Sequence, residues 1–159
     1  MEVPAATTRF VSDAAAYGLR VVPSIFPEGT KTAADAAAAI GCDVAAIVKS
    51  LVFMADEQPV LVLMPGDLRV DTAKLAERTG SSHIRRAGLE EVRDATGYVA
   101  GGTPPIGHAT AMPIYADPHL KRFSQVWAAA GTPTSVFPIA LDTLISVTAA
   151  EWADLAEGE

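Results

Sequence analysis

Two apolar runs sit almost back to back in this chain: "AAIVKSLVFM" (Ala45–Met54) and "PVLVLM" (59–64), with only "ADEQ" between them. Both are rich in Val and Leu, and a polar break this short predicts a β-hairpin. A hairpin makes its two strands antiparallel, so a purely parallel α/β sheet is excluded. Helical stretches alternate with further strand candidates along the rest of the chain. The expected fold class is therefore α+β, with a mixed, barrel-like sheet flanked by helices.

The first run carries one residue that its surroundings do not explain. On a strand, Ile47, Lys49, Leu51 and Phe53 share one face, and Val48, Ser50, Val52 and Met54 share the other. An unpaired ammonium in a dry core costs several kcal/mol or loses its proton. Three arrangements remain open for Lys49: it snorkels outward at a sheet edge, it pairs with a buried carboxylate, or it faces a cleft and holds an anion.

Caps and breakers set the other elements. Thr7 or Thr8 is expected to cap a first helix that runs to about Tyr17 and stops at Gly18, followed by an extended "LRVVPSIF". Thr32 caps the Ala-rich "AADAAAAI", and Gly41 stands at its stop. Asp71 caps a helix through Arg78, closed by Gly80. "SHIRRA" is a short strand, "LEEVRDAT" is a helix ended by Gly97, and "AMPIYAD" is extended. Residues 118–130 read as helix, "TSVFPI" as a last strand, and Leu141 to Ile145 as a short helix. Thr148-x-x-Glu151 has the pattern of a capping box that opens a terminal helix.

Length and charge narrow the function. The 159 residues fit one domain spanning 1–159, with no linker, repeat or membrane-length apolar run. The start of the chain lacks the pattern of a secretory signal peptide. One cysteine, Cys42, allows no internal disulfide, and a reducing cytoplasm fits. A net charge of −7 argues against coating long nucleic acid, though one phosphate or one nucleotide end can still be held locally.

A second unusual segment is "GGTPPIGH", Gly101 to His108. Its glycines permit positive φ and close backbone approach, and Pro104 and Pro105 stiffen it. Its remaining amides could point at a carbonyl or phosphate oxygen. It is neither a Walker loop nor a dinucleotide fingerprint. His83, His108 and His119 are scattered without metal-ligand spacing; Asp117-Pro118-His119 reads as a helix start, and only His108 borders the loop, where it could move a proton or orient substrate. Nothing beside Cys42 activates its thiol. Arg85 and Arg86 could touch phosphates if they flank the cleft.

"IVKSLVF" followed roughly fifty residues later by "GYVAGGTPPIGH" resembles the YbaK/EbsC/ProX family, the editing domains related to the insertion domain of bacterial prolyl-tRNA synthetase. The similarity extends over nearly the whole chain, through "PVLVLMPGDLRVDTAKLA", "PIYADPHL" and "VWAAAGTPTSVFPI". It implies a freestanding enzyme that hydrolyses the ester joining a wrong amino acid to the 3′-terminal adenosine of a tRNA, often tRNA-Pro. Lys49 matches the family lysine that engages the tRNA end. Gly101 and Pro105 match a G-x-x-x-P loop whose backbone holds the substrate carbonyl, with Gly102 and Gly107 beside them. Ser50, Thr103, His108 and Phe26 fall among the substrate-binding positions, Phe26 (or Ser24) where some members carry a Tyr- or His-bearing segment in place of "IFPEGTK". The family implies no cofactor and no metal, with the ribose hydroxyl helping to activate water. The implied partners are the tRNA acceptor end and a synthetase or elongation factor, with no membrane and no DNA. Two other functions stay open: a non-catalytic module that binds nucleotide or aminoacyl ligands on the same scaffold, and a small-molecule hydrolase that uses His108.

Overall fold

The hairpin forms, and the rest of the sheet is built outward from it. The structure is a computed structural model, describing residues 3–28 and 32–158. Strand β2 (Ile47–Ala55) runs antiparallel to β3 (Gln58–Pro65), from Val48 opposite Pro65 to Ala55 opposite Gln58. Asp56 and Glu57 form the connection, with φ of 46° and 67°, the left-handed pair that a two-residue turn between twisted strands requires. Neither is a glycine. Asp56 is held because its carboxylate accepts the N–H groups of Ser82 and His83.

The described sheet has eight strands. β1 (Ser24–Ile25), β7 (Ser135–Ala140), β6 (Gln125–Ala129), β2, β3, β5 (Ile114–Ala116) and β8 (Glu151–Trp152) follow one another in space, and β4 (Ile84–Arg86) also pairs with β2. Pairings β2–β6, β3–β5 and β5–β8 are parallel and the others antiparallel, so the sheet is mixed as expected. It stays open between β1 and β8 rather than closing into a barrel.

Alternation along the hairpin feeds two cores. Val48, Val52, Leu61 and Leu63 join a cluster with Phe10 of α1 (Ala5–Ala15), Val92 of α4 (Leu89–Thr96) and Leu144 of α5 (Leu141–Thr148). Phe53, Val60, Val62 and Met64 face the other way, toward Leu75 of α3 (Thr72–Thr79) and toward Leu155 and Ala156. A small third cluster seats Ala36 and Ala37 of α2 (Ala33–Ile40) on Ile47.

The caps at Thr32, Asp71, Gly41, Gly80 and Gly97 stand where expected. Four expectations fail. Thr7 and Thr8 lie inside α1; Thr7 is fully buried and its hydroxyl meets Ser135 Oγ at 2.8 Å instead of capping. "LRVVPSIF" contributes only the two residues of β1. Residues 118–130 are not one helix: a 3₁₀ turn spans Pro118–Arg122 and β6 follows. There, pairing with both β7 and β2 outweighs the helix propensity of "WAAA". Thr148 ends α5 rather than opening a helix, because its hydroxyl donates back to the Leu144 carbonyl and Ala149 turns left-handed.

Candidate functional site

Two strands share one edge of β2, and they do not meet. β6 covers Ile47 and Val48, opposite Trp127 and Ala128. β4 covers Phe53 to Ala55, and Ala87 N–H donates to the Val52 carbonyl at 3.1 Å. Between them, on this edge, no strand among the described residues lies opposite Ser50. A two-residue turn closes on a hydrogen-bonded Ala55–Gln58 pair, so odd residues of β2 bond to β3 and even residues turn their peptide groups to the far edge. Gly66 N–H on Ile47 O fits this alternation. The Ser50 peptide therefore faces a break in the ladder.

A cavity of about 550 Å³ opens at that break. Lys49, Ser50, Gly101 and Thr103 all line it, so the two motifs separated in sequence come together in space. They do so from opposite sides. Lys49 belongs to the Phe53 face of the sheet, and Ser50 to the Val48 face on which Ile106 and Tyr98 flank the glycine loop. The open edge lets both reach one space.

On the Lys49 side the lining is cationic. Lys49 is half-buried and its Nζ donates to Leu68 O at 2.5 Å. Among the described residues it makes no ion pair, so neither full snorkelling nor a carboxylate partner describes it. Burial first, then the neighbouring Arg69 and Arg86, push its pKa below the ordinary 10.5, against a weaker upward pull from Asp67. Asp67 is itself engaged by Arg122 at 2.9 and 3.0 Å. Arg69 and Arg86 also line the cavity.

On the Ser50 side the lining is apolar and amide-bearing. Val48 and Ala128 form the apolar part. Ser50 Oγ is buried and has no hydrogen-bond partner among the described residues. Gly101 is held at φ 85°, and Gly102 N–H donates to Val99 O at 3.0 Å. Gly102 sits so close to residue 132 that an added Cβ would lie 2.6 Å from Thr132 backbone atoms. The Gly131 N–H to Gly102 O bond (3.0 Å) ties the two segments together. Beneath them, Thr7, Ser135 and Thr132 are linked hydroxyl to hydroxyl.

Gly102, Pro105, Gly107, His108 and Phe26 do not line this cavity. Gly102 and Pro105 are buried within the loop. His108 places Nε2 2.7 Å from the Pro104 carbonyl, tying the end of the loop back to its middle, and burial lowers its pKa below 6.5. Phe26 donates its N–H to Thr134 O at 2.7 Å at the β1 edge; residues 29–31 of "IFPEGTK" lie outside the described residues. Cys42 is partly buried with a raised pKa, chiefly from burial, and is no activated nucleophile. The adjacent arginines separate. Arg86 stands opposite Phe53 and shares the face of Lys49, whereas Arg85 stands opposite Met54 and binds Glu57 and Glu91. Arg69 was not legible as a site residue: it sits in the loop after β3, and only the return of that loop over Lys49 brings it in. Another hollow, of about 230 Å³ near Met54 and Pro59, carries Glu91 and Asp94. Its carboxylates disfavour an anionic ligand.

A cationic wall facing an amide-bearing apolar wall suits a ligand with phosphate at one end and an acyl group at the other. Residues 27–147 match the family model for the aminoacyl-tRNA editing domain. The chain belongs to that family, in the YbaK/EbsC/ProX group its motifs resemble. EbsC of Enterococcus faecalis, named as a candidate Cys-tRNA(Pro)/Cys-tRNA(Cys) deacylase, is 27% identical over 129 residues, covering 80% of this chain and 79% of EbsC. The proline–tRNA ligase of Lactobacillus gasseri is 39% identical over 80 residues, half of this chain and 14% of the ligase. A crystal structure of a candidate trans-editing enzyme for prolyl-tRNA synthetase superposes with a TM-score of 0.94 at 38% identity, covering 99% of this chain and all of that one.

Proposed function

We propose that this protein is a trans-editing deacylase, a single editing domain over its whole length, which hydrolyses the ester of a mischarged tRNA in the cytoplasm. The reading rests on one observation: the gap beside Ser50 joins the cations of one sheet face to the glycine loop of the other in a single cavity. The substrate is tRNA-Pro carrying a small non-cognate amino acid, for which the Ala- and Val-lined wall leaves an uncharged recess.

Lys49 anchors the phosphate next to the terminal adenosine as a point charge. That places the ester carbonyl against the glycine loop. Gly102 N–H is engaged by Val99, and Pro104 and Pro105 have none, so Gly101 and Thr103 are left to polarise the carbonyl. Water adds to the acyl carbon, the bond to the ribose 3′ oxygen breaks, and that oxygen takes a proton. The neighbouring ribose hydroxyl helps the water attack. An activated ester needs positioning and oxyanion stabilisation more than a strong protein base. A synthetase pocket rejects a smaller side chain by only about 1–3 kcal/mol, which is why a second sieve is needed. A synthetase or elongation factor delivers the charged tRNA.

The test is amino-acid release from tRNA-Pro and tRNA-Ala charged with small amino acids. Release well above the spontaneous rate from at least one is expected. Binding without release across the panel would instead identify a non-catalytic ligand-binding module.

A further inference from the structure

The cationic wall is larger than one phosphate requires. Three cations, Lys49, Arg69 and Arg86, line one cavity in a chain of net charge −7. Away from the cavity, Arg9, Arg20, Arg93 and Lys121 make no ion pair among the described residues, and Lys74, Arg78, Arg85 and Arg122 are each engaged by a carboxylate. Among the described residues neither Arg69 nor Arg86 is; Arg86 only lies over the Phe53 ring, 5.5 Å from its centroid. The three are close enough that both arginines depress the pKa of Lys49. Bringing like charges together without a counterion costs free energy, and the cost is recovered when an anion enters. Each arginine offers a planar fork suited to phosphate oxygens. Both are exposed, toward the mouth of the cavity, whereas Lys49 is half-buried within it.

We infer that Arg69 and Arg86 bind the phosphodiesters that precede the terminal nucleotide, so that the site grips a single-stranded RNA end by more than one phosphate. The inference rests on the proposed function for the identity of the ligand and extends it to two residues outside the lysine and glycine-loop motifs. Arg69 arrives on the loop after β3 and Arg86 on β4, so the RNA end enters between those two elements.

The test uses an uncharged RNA hairpin with a single-stranded 3′ end, labelled for fluorescence anisotropy and titrated between about 50 and 200 mM salt. For single strands, the logarithm of affinity falls against that of salt with a slope of about −0.7 per phosphate contact. Arg69→Gln and Arg86→Gln are each expected to make that slope shallower by about 0.7, and the double variant by about 1.4. Arg86→Lys is expected to keep it. Arg85→Gln changes the net charge equally, but Arg85 is engaged by Glu57 and Glu91, and the slope is expected to stay unchanged. An unchanged slope in both cavity variants overturns the inference, as does an equal change in Arg85→Gln. Because this RNA carries no ester, the result is separate from deacylation: hydrolysis with unaltered slopes removes only the arginine roles, and altered slopes without hydrolysis of charged tRNA remove only the deacylase reading.

Discussion

Ser50 carries a hydroxyl that is buried and unbonded within the described fold. Such a group costs roughly 1–3 kcal/mol when no partner reaches it. Removing the hydroxyl, to leave the methyl side chain of alanine, removes that cost. Ser50→Ala is therefore expected to leave the unfolding free energy unchanged or raise it by about 1 kcal/mol, while weakening the turnover of charged RNA. Urea unfolding beside a deacylation assay checks both; a stability loss of more than about 1 kcal/mol would mean the hydroxyl is bonded inside the fold. Lys49 makes a complementary prediction in pH. Its pKa lies below the ordinary 10.5, chiefly through burial and then through Arg69 and Arg86. The cation is present at low pH and is lost as pH rises through the lowered value. RNA-end binding should thus decline at a lower pH than an exposed lysine would give. In Arg86→Gln, one repelling charge is gone, so the fractional decline should move to higher pH. No movement would mean the two groups do not interact.

At the level of elements, the site depends on how two loops are pressed together. A Cβ at Gly102 would lie 2.6 Å from main-chain atoms of Thr132, which cannot rotate away as a side-chain tip can. Gly102→Ala is expected to destabilise the fold by about 1–3 kcal/mol and to displace the glycine loop, lowering deacylation more than RNA binding. Equal losses in both would locate the damage elsewhere. The hairpin and most caps were legible because their causes are local: Thr32 reaches Asp35 N–H, and Asp71 reaches Ala73 N–H. β6 was not legible. "QVWAA" follows a proline-led turn and carries helix-favouring alanines, and what makes it a strand is pairing with β7, which follows it, and with β2, more than seventy residues away in the sequence. Thr148 shows the same limit, since its capping pattern is real but its hydroxyl turns back into α5.

Over the whole molecule, the candidate site lies at a fault in the sheet: β4 and β6 cover different stretches of β2 and leave Ser50 between them. The sequence motifs named Lys49 and the glycine loop, and the fold brings Lys49, Gly101 and Thr103 to one cavity. They could not show that the lysine and the loop approach from opposite faces. Nor could they separate Arg86 from Arg85, which depends on strand register, or bring in Arg69, which depends on a loop returning over Lys49. In a chain of net charge −7, three cations without an ion pair among the described residues, Lys49, Arg69 and Arg86, share the one cavity at the gap. The central claim is that this gap hydrolyses an aminoacyl ester with Lys49 as anchor. Single-turnover release of a small amino acid from charged tRNA-Pro tests it most directly, comparing the wild-type chain with a folded Lys49→Ala variant. A fall of about 100-fold or more is expected, in line with the loss of a positioned charged contact; release by Lys49→Ala at the wild-type rate would contradict it.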